Sequence, residues 1–326
     1  MSKPEPGDDL RQGALSAAPR PQVASHHPVQ KSIPPLAWAV IGVLGVIWGG
    51  SFLSNVILLR ELGVLTTVAA RALLASLVLW AYVLLAGLPV PRTWRAWRDF
   101  AVMGLLNVAL PFSLIVWAQI HVPSGLASIL NAATAIFGVL IAALVFADER
   151  LTRQKAAGVA LGFAGVATVI GLEALTRFDP TSLAQLALIA ASMSYGFGGA
   201  WARARLTGHK SQVAAAGMLT MAAAMLIPYA LWAEGVPTLD YLPATWAALA
   251  YLSLFATAGA FLLYYRVMPV VGAGNMSLVT LLVSPVAIVI GAVVLNETLE
   301  PRAFAGFALL AAGLMVIDGR VLRLLR

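Results

Sequence analysis

Residues 149–171 read ERLTRQKAAGVALGFAGVATVIG, and residues 297–319 read ETLEPRAFAGFALLAAGLMVIDG. At a constant offset of 148, with no gap, Glu149/Glu297, Leu151/Leu299, Ala157/Ala305, Gly158/Gly306, Ala160/Ala308, Leu161/Leu309, Ala164/Ala312, Gly165/Gly313 and Gly171/Gly319 are identical, 9 of 23 positions. Two helices rich in Ala, Gly and Leu agree at several places by chance. The shared glycines and the shared glutamate at the helix start favour duplication. Each copy closes a series of five apolar runs, so the second series must enter a membrane from the side opposite to the first.

Counting outward from these copies, apolar runs cover 36–59, 64–85, 100–119, 124–146, 156–172, 183–203, 211–232, 246–265, 274–295 and 303–319. Each lies near the ~20 residues that cross the hydrocarbon core of a bilayer as helix. A membrane strand would alternate polar and apolar residues, and these runs do not. The chain of 326 residues is 60% hydrophobic and only 11% charged, with mean hydropathy +0.88. A water-soluble protein carries about 25% charged residues, so a soluble globule is excluded. The absence of cysteine excludes a disulfide-stapled domain. The expected fold is an all-α integral membrane protein of ten transmembrane helices, arranged as two inverted five-helix repeats around a central substrate path. In this reading residues 1–35 are expected to be a disordered cytoplasmic tail, 36–172 the first repeat and 183–322 the second. Inverted halves that share a midplane site are the architecture of alternating-access carriers.

The net charge of +7 is a matter of topology. With the N-terminus inside, 17 of the 21 cations fall on the cytoplasmic side, and only Arg60, Arg177 and Arg302 fall on the other. Arg71 remains, inside a span. Both termini are therefore expected in the cytoplasm, and a nucleic-acid partner loses its support.

Several short motifs recur in order along the chain: WGGSF at 48–52, RALLA at 71–75, GLLNVALPF at 104–112, WAQ at 117–119, SGLASILNA at 124–132, ADERLT at 147–152, VTLLVSP at 279–285 and the closing Glu297–Thr298–Leu299. Together they resemble the ten-helix EamA-type branch of the drug/metabolite transporter superfamily, from Leu36 to Gly319. Relatives usually carry Thr-Pro in the fourth helix, where this chain has Thr134–Ala135, and Pro285 is shifted by about a residue. The resemblance implies a bacterial inner-membrane carrier, commonly an exporter of amino acids or related small metabolites. A drug or nucleotide-sugar carrier of the same superfamily is the nearest alternative. A membrane-embedded enzyme or assembly factor is the alternative of a different class.

Polar side chains in lipid are costly and tend to face the bundle interior, so they are the candidates for solute binding or gating. Arg71, at the eighth position of the second helix, suits a substrate carboxylate; alternatively it pairs with helix-end carbonyls or Glu61. Asn107, Gln119 and Asn131 both donate and accept hydrogen bonds, as does Ser128 on the same face as Asn131, and any of them also serves as interhelical glue. Trp48, Ser51 and Tyr195 lie beside glycines in the first and sixth helices. Trp117 and Tyr264 end the third and eighth, where interface-belt aromatics are common. Pro111, Pro228 and Pro285 mark candidate helix bends. No Asp or Glu occupies the middle of a span, and the four histidines lie in the tail and loops. This favours movement down the solute's own gradient. No Walker loop, HExxH or GxSxG motif is present, so no cofactor, metal or catalytic residue is expected. The expected partners are a small solute, the lipid bilayer and a second copy of the chain, docked through helices five and ten.

Overall fold

Long apolar runs leave the backbone no water to bond, so each run closes its hydrogen bonds on itself as helix. The computed structural model describes residues 34–147, 151–170, 180–271 and 278–318. The expected tail through residue 33, and Glu149, Gly171 and Gly319 of the repeat, lie outside these. The helical stretches are α1 (Pro35–Leu58), α2 (Val64–Leu85), α3 (Trp94–Ala118), α4 (Ser124–Val145), α5 (Arg153–Ile170), α6 (Pro180–Arg205), α7 (Ser211–Glu234), α8 (243–271), α9 (Leu278–Leu295) and α10 (Pro301–Asp318). Seven of them, α1–α4 and α6–α8, are long and apolar enough to cross a membrane. Among the described residues no strand occurs.

The repeat glycines explain one contact in detail. A methyl group added at Gly158 would lie 2.7 Å from the carbonyl oxygen of Gly313, and one at Gly165 would lie 2.7 Å from that of Gly306. The α5 and α10 backbones therefore touch, and only glycine permits the approach. Because the earlier glycine of α5 meets the later glycine of α10, the two helices run antiparallel. The pair 158–313 becomes 306–165 when the copies are exchanged, as in a contact across a two-fold axis. The same exchange relates other neighbours: α1 packs on α9 while α6 packs on α4, and α2 packs on α7.

Three helices are interrupted, and the interruptions prepare the site. In α3, residues Leu105–Ala109 form a π-helical segment just before Pro111. The proline has no N–H for the carbonyl of Asn107, so the turn widens. In α4, regular helix stops at Asn131 and resumes at Thr134, with no proline nearby. Hydroxyls bond the carbonyls at the break: Thr134 Oγ1 donates to Asn131 O at 2.7 Å, and Ser192 Oγ donates at 3.2 Å to Leu130 O, which also accepts from Ala133 N. In α8, Tyr251–Gly259 is π-helical, again without a proline. Pro228 and Pro285 lie within α7 and α9, whose helices continue on both sides of them.

Candidate functional site

The α8 segment shows why a widened turn is useful. Thr257 Oγ1 donates to the carbonyl of Leu252, five residues back, at 2.7 Å. The same hydroxyl oxygen accepts from Arg71 Nε on α2 at 2.8 Å. Arg71 is only 7% exposed, and its guanidinium lies 4.0 Å above the centre of the Phe112 ring on α3. Phe112 in turn meets Tyr195 of α6 edge-on, with centroids 6.5 Å apart. Four helices thus converge on one buried cation.

No carboxylate meets Arg71 among the described residues. Glu61, the alternative partner from sequence, turns instead to α8, where its carboxylate accepts from Leu242 N and from the Thr245 hydroxyl. A charged group removed from water costs several kcal/mol unless compensated. One neutral hydroxyl and an aromatic face, the latter worth about 2 kcal/mol when desolvated, compensate it only in part. The remaining guanidinium nitrogens have no protein hydrogen-bond partner among the described residues. The arrangement is suited to a small anion such as a carboxylate, held by two parallel N–H···O bonds.

A second aromatic pair lies across the halves. Trp48 on α1 donates from Nε1 to Ala256 O, in the α8 π segment, at 3.0 Å, and its ring lies 6.0 Å from that of Tyr264. This pair joins α1 to α8; Tyr195 and Phe112 join α6 to α3. Exchange of the two halves interchanges the helix pairs. Only one of them carries a cation.

The remaining candidates divide by what their polar atoms already do. Gln119 is occupied on both sides, accepting from Asn55 Nδ2 at 2.8 Å and donating to Phe52 O at 2.9 Å, so it ties α3 to α1. Ser51 and Ser128 donate within their own helices, to Trp48 O and Gly125 O. The Ser128 carbonyl accepts from Ser284 Oγ of α9. Trp117 pairs with His121, at 5.1 Å, beyond the end of α3. Asn107 lies on the α3 π segment, and its Nδ2 reaches only Met218 Sδ at 4.0 Å, a weak acceptor. Asn131 stands at the break in α4, and its Oδ1 is buried without a partner. Among the described residues, no group of three His, Cys, Asp or Glu side chains is placed to hold a metal ion.

Sequence reasoning passed over Thr257, Phe112, Asn55 and Ser192. Thr257 carried a usable signal, being a hydroxyl inside an apolar run. Phe112 carried none, because an apolar ring in a lipid-soluble helix is unremarked until a cation is found above it.

The sequence pattern of the EamA-like transporter family matches this chain twice, over residues 36–171 and 182–318. A probable terminal-alkyne amino-acid exporter of Streptantibioticus cattleyicolor is 30% identical over 296 residues, covering 87% of this chain and 94% of that protein. A probable amino-acid metabolite efflux pump of Salmonella typhimurium is 26% identical, covering 83% and 91%. A crystal structure of a protein 20% identical in sequence superposes with a TM-score of 0.63 over 88% of this chain and 97% of the other, and so shares the fold. With two family matches in tandem and a bundle of membrane-length helices, the chain belongs to the EamA-like transporter family and is a multi-pass membrane protein.

Proposed function

We propose that this protein is a secondary transporter that exports amino acids or closely similar small metabolites by alternating access. In this reading ten helices cross a bacterial inner membrane as two inverted five-helix repeats, with both termini in the cytoplasm. The tandem family matches, the antiparallel α5–α10 pair and the helix pairs that interchange between halves support the inverted arrangement. The cation asymmetry supports the orientation. Contact with a second copy through α5 and α10 would use their outward faces, since their glycines meet each other.

The observation that carries the functional reading is the buried Arg71 guanidinium, held by Thr257 and Phe112 with no carboxylate beside it among the described residues. A solute carboxylate would neutralise it. An ammonium group would find the ring faces of Trp48 and Tyr264 and the amide oxygen of Asn131. The pairing of one cation with neutral acceptors fits a zwitterion better than a multiply charged phosphate. The two amino-acid exporters among the relatives point the same way. The test is flux: protein reconstituted in liposomes should exchange radiolabelled neutral amino acids with no added cofactor. Folded protein that moves none of a broad amino-acid and metabolite panel would overturn the proposal.

A further inference from the structure

Three glutamates at helix ends hold the N-termini of other helices, and every one reaches across the two halves. Glu61, after α1, binds the start of α8 through Leu242 N at 3.1 Å and the Thr245 hydroxyl. Glu234, ending α7, accepts from Leu65 N and Thr66 N, at the start of α2, at 2.9 and 2.8 Å. Glu297, after α9, accepts from Ser124 N at 2.9 Å, from Ser124 Oγ at 2.6 Å and from Gly125 N at 3.3 Å, at the start of α4. The first turn of a helix presents unpaired N–H groups and a partial positive charge, so each carboxylate satisfies donors that would otherwise lack partners. These are caps supplied from elsewhere in the fold. Local capping residues are missing: the residues preceding α2, α4 and α8 are Gly63, Pro123 and Leu242, with no side-chain cap bond.

The backbone is also shaped around two of the carboxylates. A methyl group at Gly63 would collide with the Glu234 carboxylate, and one at Gly291 would collide with that of Glu297 and with Ser124 Oγ. Glycine at these positions leaves room for the acid. Glu61 and Glu234 also line the same cleft, of about 180 Å³, with Gly63 and Tyr241.

We infer that Glu61, Glu234 and Glu297 form the gate at this end of the bundle, the end predicted from the cations to face outward. Each is a latch between the halves, closed in this structure. The inference rests on the proposed transport cycle, because a gate at one end matters only if the path opens to both. Opening this end requires the carboxylates to leave helix starts that have no substitute cap. The three sites are therefore positioning residues for the conformational step, distinct from the solute-binding Arg71.

The test uses full-length protein with Tyr195→Cys as the only thiol, labelled by a charged maleimide from one side at a time. Glu61→Gln, Glu234→Gln and Glu297→Gln should each speed labelling from the glutamate end about five-fold and slow it from the other. That is the shift expected when loss of the charge and of one accepting oxygen weakens a cap by ~1 kcal/mol in the closed state. Gly63→Ala and Gly291→Ala displace the carboxylate without changing charge and should act in the same direction. Where a Gln variant loses its cooperative melt, Ser124→Ala and Thr245→Ala remove single donors and supply the same comparison with milder effect. Labelling unchanged from both sides, in variants that melt like the parent, overturns the gate. Side-dependent labelling that shifts while the wild-type protein, with Tyr195 intact, moves no solute leaves the gate standing and removes the transport reading instead.

Discussion

Helices α3 and α8 hold corresponding places in the two halves, and both contain a π segment, but only that of α3 lies beside a proline. At the offset of 148, residues 105–109 of α3 correspond to 253–257, inside the 251–259 segment of α8. In α3 the widened turn precedes Pro111, a covalent defect, and Ser194 of α6 donates to its Leu106 carbonyl. In α8 no proline is involved, and the turn persists because side chains hold it. Thr257 bonds back to Leu252, Trp48 takes the Ala256 carbonyl, and Arg71 bonds to Thr257. Both segments are thus braced from another helix, α3 by Ser194 of α6, whose hydroxyl donates to Leu106 O at 2.7 Å, and α8 by Trp48 and Arg71. Only α3 adds a proline, and only the α8 contact brings a cation with it. The lesson is that duplicated halves need not share function. The fold is symmetric where glycines pack and asymmetric where the solute is expected.

The largest effect that could break this comparison is at Arg71. Arg71→Gln should weaken apparent solute affinity in liposomes about 10- to 100-fold, since bonds to a charged donor contribute ~1.5–3 kcal/mol each. Thermal stability should be unchanged or higher, because a buried charge that is only partly compensated is removed. Arg71→Lys should retain part of the affinity, having charge without the planar fork. Wild-type transport in both variants would return Arg71 to a purely structural role.

Next comes Thr257. Thr257→Val removes the acceptor for Arg71 and the bond to Leu252 together, and should cost ~1–3 kcal/mol in a denaturation assay. Thr257→Ser should behave as wild type. If Val and Ser are equally tolerated, the α8 segment does not depend on the hydroxyl.

A smaller loss, ~1 kcal/mol, is expected for Trp48→Phe, which keeps the ring against Tyr264 but abandons Ala256 O. Hydrogen exchange should then quicken around Tyr251–Gly259. Unaltered exchange there would show that Trp48 does not hold the turn.

The smallest effect belongs to Pro111→Ala. It restores an N–H for Asn107 O, so stability should change by less than about 1 kcal/mol and the Leu105–Ala109 segment should relax toward regular helix. A loss comparable to Thr257→Val would mean that the proline, and not the Ser194 bond to Leu106 O, is what holds the α3 segment.

Some of this was legible in the chain because lipid imposes few solutions. Apolar runs of membrane length must be helices, and the glycines shared by α5 and α10 marked the duplication, though not that the two helices pack on each other. Arg71 was conspicuous for the same reason, as the one cation well inside a run. The proline signal was less informative: α4 and α8 are interrupted without one, by hydroxyls on Thr134, Ser192 and Thr257. Thr134 bonds the carbonyl three residues back just as Ser51 and Ser128 do, yet only at Thr134 is the helix broken. Spacing alone cannot separate the two uses.

By itself, the sequence determined the solvent of the fold, the helical class, the duplication and the charge asymmetry. These follow from composition and period, which are local properties that the surrounding medium reads one residue at a time. Tertiary structure alone decided the partner of each polar group. Gln119 became a tie to α1, Glu61 a cap on α8, and Arg71 a cation over Phe112. The physical reason is that a buried hydrogen bond is a relation between two elements, often more than 60 residues apart. Its cost or benefit exists only once packing has brought both groups out of water.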